Sequence, residues 1–161
     1  MALCREAMKL RGWKSADAEK ALGEALNDGS AFAAWERMVA AHGGNPDLDV
    51  LEQPQRTVEV SAVTEGIVAG CDGEELGRVA AEVGAGRRRV DEELAHGAGI
   101  VVHARIGDRV QAGEPLATLL IGRREVDEER QADRIRGAFT IGDEPVDAPP
   151  LILGTVEDLA E

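Results

Sequence analysis

Between residues 46 and 55 the spacing of apolar side chains changes from three and four residues to two. A repeat near 3.6 places side chains on one face of a helix, and a repeat of two places them on one face of a strand. The chain is therefore read as helical before this point and as β-rich after it, an α+β pattern. Ahead of the change, residues 1–11 carry Leu3, Ala7, Met8 and Leu10 on a shared helical face and stop at Gly12. Ser15 is read as the N-cap of ADAEKALGEALND, which sets Ala18, Ala21, Leu22, Ala25 and Leu26 in one stripe and breaks at Asp28-Gly29. Ser30 to His42 forms a third helix with Phe32, Trp35, Met38 and Val39 at helical spacings, ended by Gly43-Gly44. Asn, Asp, Pro and Gln then dominate residues 46–55, a linker composition.

Beyond the linker, TVEVSAV (57–63) alternates as a strand does, and Gly66 turns the chain into IVAGC. A short helix follows Asp72, with Leu76, Val79, Ala80 and Val83 facing inward, closed by Gly84-Ala85-Gly86. Strands are expected at IVVHA (100–104) and PLATLLI (115–121), punctuated by turns at Gly107-Asp108 and at 112–115. A charged helix is expected from about Glu125 to Ala138, and LILGTV (151–156) as a closing strand.

The chain has 161 residues and is 43% hydrophobic, enough to bury a core. Trp13, Phe32, Trp35 and Phe139 are the only aromatic residues, so that core is aliphatic and offers little surface on which a base could stack. Eighteen Lys and Arg against 31 Asp and Glu give a formal charge of −13, which disfavours nucleic acid and anionic membrane as partners. The run Arg87-Arg88-Arg89 does not reverse that balance. No stretch approaches the roughly 18 consecutive apolar residues of a membrane span, and the N-terminus lacks the apolar core of a secretion signal. A cytoplasmic location is expected, with Cys4 and Cys71 as reduced thiols lacking metal or redox spacing.

Several residues invite a chemical reading. Gly84, Gly86 and Arg87 could cradle an anion, since glycines free backbone N–H groups and arginine grips a phosphate in two places. Glycines that end a helix explain the same string and are preferred. Arg88 and Arg89 read as solvated beside Asp91, Glu92 and Glu93. His42, His96 and His103 have no metal-ligand spacing, and Asp108 and Glu114 sit in turns where carboxylates are ordinary. The string EAMKL (6–10) resembles the lysine motif of biotin carriers, but Lys9 lies in a helical run and no lysine follows Lys20. A biotinyl or lipoyl carrier module, or a free-standing binding protein, are the alternative readings.

Four ordered strings carry a broader likeness: DGSAFAAWERMVAAHGGNPD (28–47), VGAGR (83–87), GIVVHARIGDRV (99–110) and AGEPLATL (112–119). With DAPPLILGTV (147–156) they resemble the C-terminal portion of the pyrimidine-nucleoside phosphorylase family, which includes thymidine phosphorylase. Trp35 stands where Phe is usual, His42 where Gln is usual, Glu93-Leu94 in place of an Ile-Asp type of pair, and Ala98 in place of Val.

The resemblance implies that residues 1–50 are the end of a larger α/β domain. It implies a linker at 51–55 and, over 56–161, a C-terminal α/β module with a barrel-sandwich-like (hammerhead) sheet. It also implies a parent reaction in which phosphate attacks the anomeric carbon of a pyrimidine nucleoside, releasing the base and a pentose 1-phosphate. The family's phosphate loop and pyrimidine-binding residues lie upstream of the matched segment. No catalytic, cofactor-binding, substrate-binding or metal-ligating residue is therefore assigned, and no cofactor is expected. The first helix, lacking a cap at Met1, is read as beginning inside a larger domain. The partner implied is the N-terminal part of the phosphorylase. The family's dimer-forming helices are absent, and weak self-association through an exposed Phe32, Trp35 and Met38 stripe is expected.

Overall fold

A computed structural model describes residues 1–87 and 89–154. The chain divides into two units, one made of residues 1–50 with the described residues after 149, the other of Leu51–Pro149. In the first, α1 (Ala2–Leu10), α2 (Ser15–Asn27) and α3 (Ser30–Ala41) follow one another, and a 3-10 turn covers Leu48–Val50. The breaks fall at the expected glycines. Ser15 is not the N-cap of α2 but its first residue; Lys14 holds the cap position and makes no side-chain bond there. Asp28, outside α3, accepts the Ser30 N–H at 2.8 Å, one of the donors a helix start leaves open. Ala18 is the one residue of these three helices classed as buried.

The second unit runs β1 (Arg56–Ser61), β2 (Gly66–Cys71), α4 (Gly73–Ala80), β3 (Gly99–Val102), β4 (Arg109–Val110), β5 (Pro115–Ile121), α5 (Glu128–Gly137) and β6 (Phe139–Gly142). Its strands form two antiparallel sheets of three, ordered β1-β5-β3 and β4-β2-β6. The two-residue alternation of β1 survives in its burial. Val60 is fully buried opposite Ala117 and Val58 half-buried opposite Leu119, while Thr57 and Glu59 face solvent. Both sheets contribute to one core. Val60, Val68, Val79, Val83, Leu116, Leu119, Ile121 and Ile135 have no exposed surface, and Phe139, also buried, is the single aromatic of the core. The module is thus α+β with an aliphatic core, as its composition required.

Several elements differ from the sequence expectation, β1 and β3 ending at Ser61 and Val102 rather than at 63 and 104. The charged helix starts at Glu128 rather than Glu125, because Asp127 caps it by accepting the Arg130 N–H at 3.0 Å. Strand β4 is only two residues long. Strand β6, which the pattern missed, arrives straight from the end of α5 and takes the edge beside β2. Within LILGTV, residues 151–154 form no strand and Leu151 and Leu153 are exposed; Thr155 and Val156 lie outside the described residues. No helix among the described residues is long and apolar enough to cross a membrane.

Candidate functional site

The glycine string 84–87 is the first place to look for an anion site. Helix α4 starts on Asp72, whose Oδ1 accepts the N–H groups of Glu74 and Glu75, and runs into a π-type turn over Ala81–Ala85. Gly84 breaks that turn with φ of 123°, a conformation that a side chain would strain. From Gly86 the chain returns across the turn as a strap. Ala95 N–H donates to the Gly84 carbonyl at 3.0 Å, and Gly122 N–H to that of Val83 at 3.2 Å. A Cβ on Gly122 would stand 2.4 Å from that of Ala95, so the strap seats directly on the backbone. At its far end Glu52 accepts the His96 N–H at 3.0 Å and pairs with Arg123 at 3.1 Å.

A guanidinium, not an anion, occupies the concave side of this turn. Arg124, largely buried, donates from Nη1 to the Ala81 carbonyl at 2.7 Å and from Nη2 to that of Gly86 at 3.0 Å. The same Nη2 meets Glu92 Oε1 at 2.7 Å, which ties the strap to the end of β5. The loop therefore turns carbonyl oxygens toward a cation, the opposite polarity to a phosphate cradle. Arg87 is exposed, Arg89 lies 3.5 Å from Asp91, and Arg88 is outside the described residues.

A second cation held by several partners is Arg134 on α5. Its Nε meets Glu75 Oε1 and its Nη1 meets Glu82 Oε2, both at 2.7 Å, and Gln131 bridges to Glu82 at 3.1 Å. The hydrogen bond from Arg134 holds the Glu75 carboxyl below its ordinary value of 4.5, and the same bond raises the guanidinium. Sequence reading named neither arginine, since their partners lie tens of positions away.

The carboxylates singled out in the sequence prove to be a pair of the same local device. Asp108 N–H donates to the Arg105 carbonyl at 2.9 Å while Asp108 Oδ2 accepts the Arg105 N–H at 2.7 Å. Glu114 and Gln111 repeat this reciprocal closure at 3.0 and 2.8 Å. Both residues line an open groove of about 550 Å³ with Glu59, His103 and Arg109, where three carboxylates face one guanidinium. Phosphate is disfavoured there. His103 pairs with Thr118 Oγ1 at 2.8 Å and His42 with the Met38 carbonyl at 2.7 Å. Among the described residues no group of three or more His, Cys, Asp or Glu could hold a metal. Lys9 sits on α1, paired with Glu6 at 2.6 Å, and not at the tip of any hairpin.

Two small sheets and two helices around one aliphatic core define an α+β module without a lysine-bearing hairpin, which sets it apart from the carrier modules. Residues 67–142 match the family model described as the pyrimidine nucleoside phosphorylase C-terminal domain. The chain is 35% identical over 150 residues to the thymidine phosphorylase of Burkholderia cenocepacia (strain HI2424), covering 89% of this chain and 33% of that protein. It is 31% identical over 140 residues to the pyrimidine-nucleoside phosphorylase of Geobacillus stearothermophilus, covering 84% of this chain and 32% of that protein. Residues 67–142 thus carry the C-terminal domain of the pyrimidine-nucleoside phosphorylase family, and the chain spans about a third of the length of the curated relatives it matches.

Proposed function

We propose that this chain is the C-terminal structural part of a cytoplasmic pyrimidine-nucleoside phosphorylase. In that reading residues 1–50 belong to the tail of the central domain, 51–55 join it to the module, and 56–161 form the C-terminal domain. The parent protein converts a pyrimidine nucleoside and phosphate to the free base and a pentose 1-phosphate. The groups that hold both substrates reside in the other two thirds, and the chain alone is inactive. Its module stiffens the parent for the closure that brings the two substrates together.

One observation carries this reading: the guanidinium groups of Arg124 and Arg134, the least exposed of those in ion pairs among the described residues, are directed at the protein's own carbonyls and carboxylates. Phosphorolysis needs a cation and N–H donors aimed at an external oxyanion. A formal charge of −13 works in the same direction. The test is release of free base from thymidine and from uridine by the purified chain in phosphate buffer. No release above the buffer control is expected, and turnover by the chain alone would refute the assignment.

A further inference from the structure

Residues 46–55 read as one linker by composition, yet the structure divides them. Every residue of 45–51 except Pro46 is exposed. Among the described residues, the hydrogen bonds of 45–50 close within the segment. Asn45 Oδ1 accepts the Asp47 N–H at 3.0 Å, Asp47 Oδ1 that of Asp49 at 2.9 Å, and the Asp47 carbonyl that of Val50 at 3.4 Å. Such Asx turns set the local path of the chain and tie it to nothing else.

From Glu52 onward the pattern changes. Glu52, Pro54, Arg56 and Val58 are half-buried while Gln53, Gln55 and Thr57 are exposed, so the two-residue alternation of β1 begins at Glu52, ahead of the strand itself. Gln55 N–H donates to the Ile121 carbonyl at 2.9 Å, which carries the β1–β5 ladder past its first pair. Two further contacts fasten this stretch to the strap. The Glu52 carboxylate takes the His96 N–H on Oε2 while Oε1 faces Arg123, and Gly97 lies flat on the backbone at 52–53. A Cβ on Gly97 would stand 2.5 Å from the Gln53 carbonyl carbon and 2.6 Å from the Glu52 carbonyl oxygen. Arg123 is largely exposed, so its pair adds little beside the carboxylate-to-amide bond.

We infer that the joint of this chain is confined to 45–51, and that residues 52–55 are the fixed first part of the module, latched to the strap through Glu52 so that movement at the joint bears on the strap. This sharpens the proposed function, in which 51–55 join the helical tail to the module, and does not rest on the reaction assigned to the parent.

The test is limited proteolysis of the full chain with an endopeptidase that cuts after aspartate and glutamate, each rate taken relative to the same bond in a peptide of residues 44–56. On that scale the bonds after Asp47 and Asp49 should be cut on the order of tenfold or more faster than the bond after Glu52, which must first leave the strap. Hydrogen exchange gives an independent reading. In Glu52→Ala the His96 amide should exchange on the order of tenfold faster, with the amides of Val60 and Leu119 in the core unchanged.

A Glu52 bond cut as fast as those after Asp47 and Asp49 would make 45–55 one free linker and overturn the inference. So would a His96 amide indifferent to Glu52→Ala, since the strap would then be held without the latch. The proposed function stands under either result and fails on turnover by the chain alone.

Discussion

At the scale of single residues, Arg124 joins two segments of the module to its own through its guanidinium and a third through its backbone carbonyl. It reaches carbonyls of the π-type turn, the carboxylate of Glu92 in the strap, and, through its own carbonyl, Arg56 at 3.1 Å. Replacing it by alanine leaves the Ala81 and Gly86 carbonyls and the Glu92 carboxylate without this donor, a loss of about 1–3 kcal/mol for each one that water cannot reach, while the bond from Arg56 to the backbone is kept. A urea melt should therefore show Arg124→Ala destabilised by about 2 kcal/mol or more. Arg124→Lys should recover only part of this, because an ammonium lacks the fork that spans several acceptors. Legibility follows distance along the chain. The closures at Asp108 and Glu114 were readable as turns because each partner is three residues away. The role of Arg124 was not, because nothing local distinguishes it from the exposed Arg123 beside it.

Elements were legible where their periodicity ran long enough. β1 and β5 announce themselves through alternating valines and a proline-led aliphatic run, and α2 and α3 through their stripes. β4 and β6 are two and four residues long, too short for a period to emerge from sequence. The contact of α5 with α4 and the turn after it depends partly on ionic groups, Arg134 with Glu75 on α4 and with Glu82 in the turn, and this makes it sensitive to acid. The Glu75 carboxyl is lowered in the folded state by the hydrogen bond from Arg134, so its contribution is fully present above the ordinary value of 4.5 and is lost as pH falls through the lower, folded value. Glu75→Gln should accordingly be less stable than the parent at pH 7, and the gap in urea midpoint should close as pH drops below 4.5. A gap that stays constant from pH 7 to pH 3 would show that the pair is held by packing alone.

For the whole molecule, the two units differ in how much they bury. The helices of residues 1–50 bury Ala18 alone, whereas the Leu51–Pro149 module contains the continuous aliphatic core. Unfolding should not be a single event. Tryptophan emission, which sees only the first unit, should report a lower melting temperature than far-ultraviolet circular dichroism at the end of its transition. Coincident curves would mean that the units unfold together. The division into a helical lead and a β-rich module was legible in the change of period near residue 50. The exposure of α3 was legible as an excess of apolar side chains over the partners available to them.

The paired turn closures at Asp108 and Glu114 have a consequence for the order in which the module assembles. Each ring closes over four residues at little cost in loop entropy, so the corner that sets β4 and β5 at their angle can form before any distant contact exists. β3, whose Val102 pairs with nearby Ala117, can add next, and β1, whose Val60 must find that same alanine from far upstream, closes last. The corner would then act as the folding nucleus, with damage there slowing refolding, whereas the late ties around Arg124 govern how fast the finished module comes apart.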